Sequence, residues 1–344
     1  MPRSQPTRAT GPSGLRRSVV SAVRAPDRFD RLEALAERHP WTVGRYNLPL
    51  VTVRGWRRVI DVRVTGLAAE MTYYAMISLI PLVTALGAAL GYLERLVGAE
   101  QVQDIESTLV NALAEIFDQQ VTADVLAPLV EGLLREERGG VAVSSLAVAL
   151  WLASRMFRAA IRALDDAYTV PERRGLVSQW ALGLGLALGA VLTSVVLLTL
   201  VVVGPLLGGG RVLAERLGQS QTFETVWGVA RWPAVGLVCV AFLVVLYRYG
   251  PNVSNTWRDC LPGALLSTVS LVAVSVGFRA YLDAAGPTAP QVGQAGEAVT
   301  VAAQTIGVIL AGVLWAWLSS IVVLTGGVVN AELQRERART APSR

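Results

Sequence analysis

The chain contains no lysine: all 31 of its basic residues are arginine, which reflects a GC-rich coding bias rather than a demand for guanidinium chemistry. It has one histidine, His39, set in an arginine-rich leader before Pro40 and Trp41. A histidine-based triad or a Cys/His metal site therefore has no raw material. Its two cysteines, Cys239 and Cys260, cannot build a disulfide framework and read as free thiols. There is no lysine-bearing phosphate loop, no nucleophile elbow and no carboxylate cluster at metal-ligand spacing. No metal and no cofactor are expected, and the chain reads as not an enzyme. Thirteen arginines precede residue 64 without an apolar run of signal length, so no secretory signal is expected.

What the chain has instead is apolar length. Hydrophobic residues make up 53% of it and its mean hydropathy is +0.47. Six stretches, at 64–93, 141–163, 178–204, 227–249, 262–285 and 304–329, each reach the roughly 20 helical residues that cross a hydrocarbon core of about 30 Å. A helix satisfies its own backbone in lipid, so the expected fold is all-α: a polytopic membrane bundle of six transmembrane helices. The expected division is a cytoplasmic Arg-rich tail (1–47), a six-span membrane domain (48–335) and a short cytoplasmic tail (336–344).

Charge sets the expected orientation. The net charge of +5 and a pI near 9.6 would suit nucleic acid, but the arginines gather beside the spans. Twenty-four of the 31 fall on one side of the six-span layout, which predicts that side, with both termini, to be cytoplasmic. The expected location is the cell (inner) membrane, and the expected partners are membrane lipids, not nucleic acid. Residues 48–62 mix Trp56 with Arg54, Arg57 and Arg58 and predict an interfacial helix feeding the first span. Between spans one and two, residues 94–138 carry ten acids and three arginines. Val102, Ile105, Leu109, Leu113 and Ile116 recur there at helical steps, and predict amphipathic outer helices over about 100–138. Those helices either pack on the bundle or recruit an envelope protein partner.

Arg155, Arg158 and Arg162 stand at steps of three and four, on one face of the second span, with Asp165 and Asp166 following. Charges within a span are costly and tend to face the bundle interior or a wet cavity. Glu70 lies near the inner end of span one, where pairing with Arg155 is one option. Pro81 near its middle predicts a kink, with Ser78 placed to satisfy freed carbonyls. Gly185 and Gly189 in span three stand four apart, a spacing that suits close helix packing or homo-oligomers. Pro262 suits the first turn of a helix, and Gly263 a close approach to a neighbour. Arg258 and Asp259 are expected to fix the loop before it.

Four motifs in order resemble the YihY/BrkB family of bacterial inner-membrane proteins, once labelled ribonuclease BN. They are Trp56-Arg57-Arg58, Asp61 and Tyr73–Leu82; Ser154-Arg155, Arg158, Asp166 and Tyr168; Tyr247–Tyr249, Pro251-Asn252, Trp257-Arg258-Asp259 and Pro262-Gly263; and Leu314-Trp315, Gly326 and Asn330-Ala331-Glu332. The resemblance covers roughly residues 50–335. Family members usually carry a glutamate where this chain has Val328, and Tyr-Gly where it has Ala303-Gln304. The resemblance implies a six-helix envelope protein linked to envelope integrity, with lipid or solute movement the activity most discussed. The expected function is movement of a lipid or amphiphilic anion, the alternative a non-catalytic scaffold. Candidate pathway residues are Glu70, Ser78, Pro81, Arg155, Arg158 and Asp166. Candidate motif residues are Pro251, Asn252, Trp257, Arg258, Asp259, Pro262, Gly263, Asn330 and Glu332.

Overall fold

The computed structural model describes residues 28–38, 42–43, 46–97, 139–171, 173–203, 220–285 and 297–340. The outer helical segment expected over 100–138, and the chain before residue 28 and after residue 340, lie outside the described residues. Within the leader, α1 (Arg28–Arg38) is followed by a two-stranded antiparallel ribbon of Thr42–Val43 with Tyr46–Asn47. Then come α2 (Leu48–Asp61) and α3 (Val64–Val97). From residue 139 on follow α4 (Gly139–Tyr168) and α5 (Leu176–Leu198), the latter relaxing into a π-helical turn at Thr199–Val203. The chain continues through α6 (Ser220–Tyr249), α7 (Trp257–Ala285) and α8 (Glu297–Thr340).

A helix does form over the residues expected to lie at the interface: it is α2. Pro49 sits in its first turn, where an amide would have no helical partner. Arg63 takes a φ of 56°, a left-handed joint that turns α2 into α3. Ion pairs tie α1 across α2: Arg57 binds Asp30 at 2.9 Å, and Arg54 binds Glu33 at 3.3 Å and, from α8, Glu336 at 3.3 Å. The hydrogen bond that Arg57 donates to Asp30 raises the pKa of Arg57, so this attachment is charge-assisted. Trp56 stays 64% exposed beside these pairs, as an interfacial anchor would.

Five helices among the described residues are long and apolar enough to cross a bilayer: Val64–Ala85, Leu176–Val201, Val229–Tyr249, Trp257–Leu282 and Ile306–Arg339. Their outward faces are apolar, as Leu188 and Leu192 on α5 or Val269, Val272 and Val276 on α7 illustrate. Such faces belong in lipid rather than water. The fourth helix is not among the five; its N-terminal half is apolar and its C-terminal half carries Arg155, Arg158, Arg162, Asp165 and Asp166.

Three faces of α4 explain its place in the bundle. Ala159, Ala160, Ala163 and Ala167 press against α3 and α8, where Val64, Ala68, Leu324 and Val328 complete one core. Phe157, Ile161 and Leu164 face α5, α6 and α7 in a second core with Leu186, Leu246 and Tyr247. The third face carries Trp151, Arg155, Arg158 and Arg162 and is partly open. Alanines on the first face let helices approach closely, which suits packing in a solvent as apolar as the side chains. On α5, Gly183 makes the close approach: a Cβ there would lie 2.9 Å from the Ser154 carbonyl oxygen and 3.0 Å from Arg158 Cγ. Among the described residues the expected close Gly185/Gly189 packing contact is not formed. Gly185 has open space, and a Cβ at Gly189 would only touch Phe242 at 3.6 Å.

α3 runs unbroken through Pro81. Ser78 donates to the Ala75 carbonyl at 2.7 Å, two residues before the Ile77 carbonyl that Pro81 frees, so it does not serve the role expected of it. Pro262 lies one turn inside α7 rather than at its start. The amide of the next residue, Gly263, donates to Asn330 Oδ1 of α8 at 2.7 Å.

Candidate functional site

Most motif residues converge at one end of the bundle, where α3, α5 and α7 begin and α4, α6 and α8 run out. Asp165, 4% exposed, accepts a hydrogen bond from the Asn252 backbone amide at 2.7 Å, and Asn252 Nδ2 donates to Pro171 O at 3.3 Å. Pro251 is buried beside it. Arg174 donates to the carbonyls of Tyr249, Gly250 and Pro251 at 3.1, 2.8 and 3.1 Å, and so clamps the loop between α6 and α7. Arg248 reaches Asn255 O at 2.6 Å and stacks on Trp257 at 4.6 Å from the ring centroid. Asp259 accepts from the Thr256 amide at 3.2 Å and pairs with Arg337 of α8. Arg258 is exposed, so the loop is held by Arg174, Arg248 and Asp259 rather than by the expected Arg258–Asp259 couple.

The C-terminal motif closes the same end. Asn330 is fully buried, and besides accepting from Gly263 it donates to the Cys260 carbonyl at 3.1 Å. Glu332, 7% exposed, pairs with Arg335, which also donates to Ala167 O at 2.9 Å. Arg58 comes from α2 to Asp166 O at 2.7 Å and Thr169 Oγ1 at 2.5 Å. Burial first, and Arg335 second, lower the pKa of Arg58. Val328, where the resemblance leads one to expect glutamate, is packed in the alanine-rich core. This assembly is a lattice that holds helix ends together, and Asn330, Glu332 and Asp259 are members of it.

The other grouping lies on the open face of α4 and reaches into the apolar belt. Arg162 pairs with Glu70 of α3. One turn deeper, Arg158 lies over the Trp180 ring of α5 at 4.5 Å. Deeper again, Arg155 sits between Tyr74 of α3, at 5.0 Å, and Trp151, at 5.2 Å. Trp151 and Trp180 are stacked on each other with centroids 6.4 Å apart. Among the described residues, neither Arg155 nor Arg158 has a carboxylate partner. From Arg162 to Arg155 the ladder climbs about 10 Å along α4. Tyr74 lies ten residues into the apolar run Val64–Ala85, about 15 Å from its start and near the middle of a bilayer-thick layer.

The sequence placed Arg155 and Arg158 on one face, and there they stand. It left Glu70 with Arg155 as an option, whereas the antiparallel packing of α3 on α4 brings Glu70 to Arg162. It selected Asp166, which is exposed; the buried carboxylate is Asp165. Trp151 and Trp180 were not singled out. Trp151 was findable, because it stands four residues before Arg155 and shares its face. Trp180 sits on another helix and carries no such signal. Of the remaining candidates, Ser78 and Pro81 lie higher on α3, and neither is joined to the ladder by any hydrogen bond or ring contact among the described residues. No group of three or more His, Cys, Asp or Glu that could hold a metal ion occurs among the described residues.

Five long helices with apolar outward faces among the described residues, knit at one end by buried polar side chains, define a helical, multi-pass integral membrane protein. The family model described as virulence factor BrkB matches residues 56–344, and the chain belongs to that family. It is similar to a protein of Bacillus subtilis (strain 168) named YfkH and described as ribonuclease-like. The two are 27% identical over 270 residues, which cover 78% of this chain and 90% of that one. No solved structure matches the chain.

Proposed function

We propose that the protein moves, or helps to move, a lipid or amphiphilic anion across the cell membrane, along the open face of α4. One observation carries this reading: Arg158 and Arg155 lie progressively deeper in the apolar belt, against aromatic rings and without a carboxylate among the described residues. An arginine at such depth costs about 2.5–3.5 kcal/mol or more. A cation–π contact returns roughly 0.5–2 kcal/mol of that. The remainder, on the order of 1 kcal/mol per arginine, is relieved when an anionic headgroup arrives between them.

In this reading α4 is a sixth span. Its 30 residues are about 45 Å long, its first 16 carry no charge, and it runs antiparallel beside α3. The arginine-rich lattice end is the cytoplasmic side of the inner membrane, with both termini there. The role is non-catalytic transport: the carried molecule changes sides without a bond being broken.

The test is transbilayer movement of a fluorescent anionic lipid in vesicles containing the purified protein. The Arg155→Gln/Arg158→Gln double variant is expected to lose at least tenfold in rate while its helical content is retained. An unchanged rate would remove the ladder from the pathway. Absence of movement with the unsubstituted protein would favour a scaffold that recruits envelope partners.

A further inference from the structure

We propose that Glu70 is a built-in stand-in for the anionic headgroup, holding the first rung of the ladder until a phosphodiester anion displaces it. This rests on the reading of the α4 face as an anion pathway and names its entry site and substrate chemistry. Three observations support it. Glu70 is the acidic member of the ladder's one ion pair among the described residues, and it occupies the rung nearest the lattice end. Both side chains stay accessible, Arg162 at 49% and Glu70 at 37%, so a ligand can reach the guanidinium without unpacking a helix. The next two rungs are aromatic, and aromatic faces hold a cation without neutralising it.

The order of the rungs follows from that contrast. A cation paired with carboxylate has its charge satisfied, so an incoming anion must compete for it. Exposed ion pairs are weak, so Glu70 is a competitor that yields. Once the headgroup has taken Arg162, the charges of Arg158 and Arg155, held by aromatic rings and by no carboxylate among the described residues, lie one and two turns further in and draw it deeper. A neutral or zwitterionic headgroup gains less by displacing Glu70, because it brings no net charge in exchange. Glu70 thereby sets specificity for a net anion. An arginine fork takes two oxygens of a phosphodiester as readily as those of a carboxylate, which is why a phosphate oxygen pair fits the place Glu70 holds.

The experiment is equilibrium binding of labelled phosphatidylglycerol to the full-length protein in mixed micelles of a neutral detergent, with glycerophosphoglycerol as the water-soluble competitor. Glu70→Gln is expected to tighten binding about fivefold, the weight of one exposed pair removed from competition. In an Arg162→Gln background the same substitution is expected to have no effect, because the cycle removes the rung for which it competes. Unchanged or weaker binding in Glu70→Gln would overturn the proposal. So would a tightening that persists without Arg162. Competition by glycerophosphoglycerol at concentrations comparable to the lipid would assign the site to a soluble phosphodiester and overturn the lipid source. Binding is read without any movement. Vesicles that show no lipid movement, together with a Glu70 effect that depends on Arg162, would sink the transport reading and leave this one standing.

Discussion

Replacing Gly326 with alanine is expected to abolish the folded protein, leaving little or no monodisperse material after extraction in a mild detergent. The α7–α8 crossing explains the size of the effect. A Cβ at Gly326 would lie 1.9 Å from Ser267 Oγ, 2.7 Å from the Gly263 carbonyl oxygen and 2.7 Å from the Tyr247 hydroxyl. None of these atoms is free to retreat. The Tyr247 hydroxyl donates to Val323 O at 2.6 Å and lies 2.8 Å from Ser267 Oγ, which itself reaches Val322 O at 3.1 Å. Gly263 sits opposite with equally little room, since a Cβ there would lie 2.1 Å from the Gly326 carbonyl oxygen. Overpacking a tight core typically costs about 1–3 kcal/mol, and breaking a buried hydroxyl pair adds about 1–3 kcal/mol more. Size-exclusion profiles of wild type and Gly326→Ala check this. A variant that elutes and melts like wild type would show that the crossing is looser than drawn.

Asn330→Leu is expected to have the second-largest effect, a loss of about 2–5 kcal/mol of stability. The side chain occupies both of its polar atoms with the backbone of α7, Gly263 N–H and Cys260 C=O, and is fully buried. Leucine keeps the branched outline but is bulkier, and it strands a donor and an acceptor, each costing about 1–3 kcal/mol where water has no access. Pro262 sharpens the dependence, since it removes a helical amide in the same turn. Asn330→Asp keeps the acceptor for Gly263 and loses the donor to Cys260, so it should fall between. Thermal unfolding in detergent orders the three proteins. Asp melting with wild type would show that the Cys260 bond contributes nothing.

Much of the architecture was legible because apolar length and arginine distribution are one-dimensional signals. The span beginning at Val64, the helix at 48–61 and the shared face of Arg155, Arg158 and Arg162 follow from counting residues. Partners across helices were not legible, because register between α3 and α4 depends on packing that no local pattern encodes. A slide of seven residues, about two turns, separates the Glu70–Arg155 pairing from the observed Glu70–Arg162 pairing. Asp165 and Asp166 differ by about 100° around α4, so the buried acid is known only once the Leu164 face is seen to pack inward. Arg174 was invisible for another reason: it binds backbone carbonyls, and carbonyls leave no trace in side-chain sequence.

The central claim is that Arg155 and Arg158 on α4, which have no carboxylate partner among the described residues, carry an anion through the membrane. It is tested most directly by charge selectivity in vesicles holding the wild-type protein. Fluorescent phosphatidylglycerol and phosphatidylcholine of the same acyl chains are loaded in the inner leaflet, and their appearance outside is timed. The anionic lipid is predicted to cross at least tenfold faster than the zwitterionic one, against protein-free vesicles as the baseline. Equal rates for the two lipids, or rates indistinguishable from empty vesicles, would contradict it.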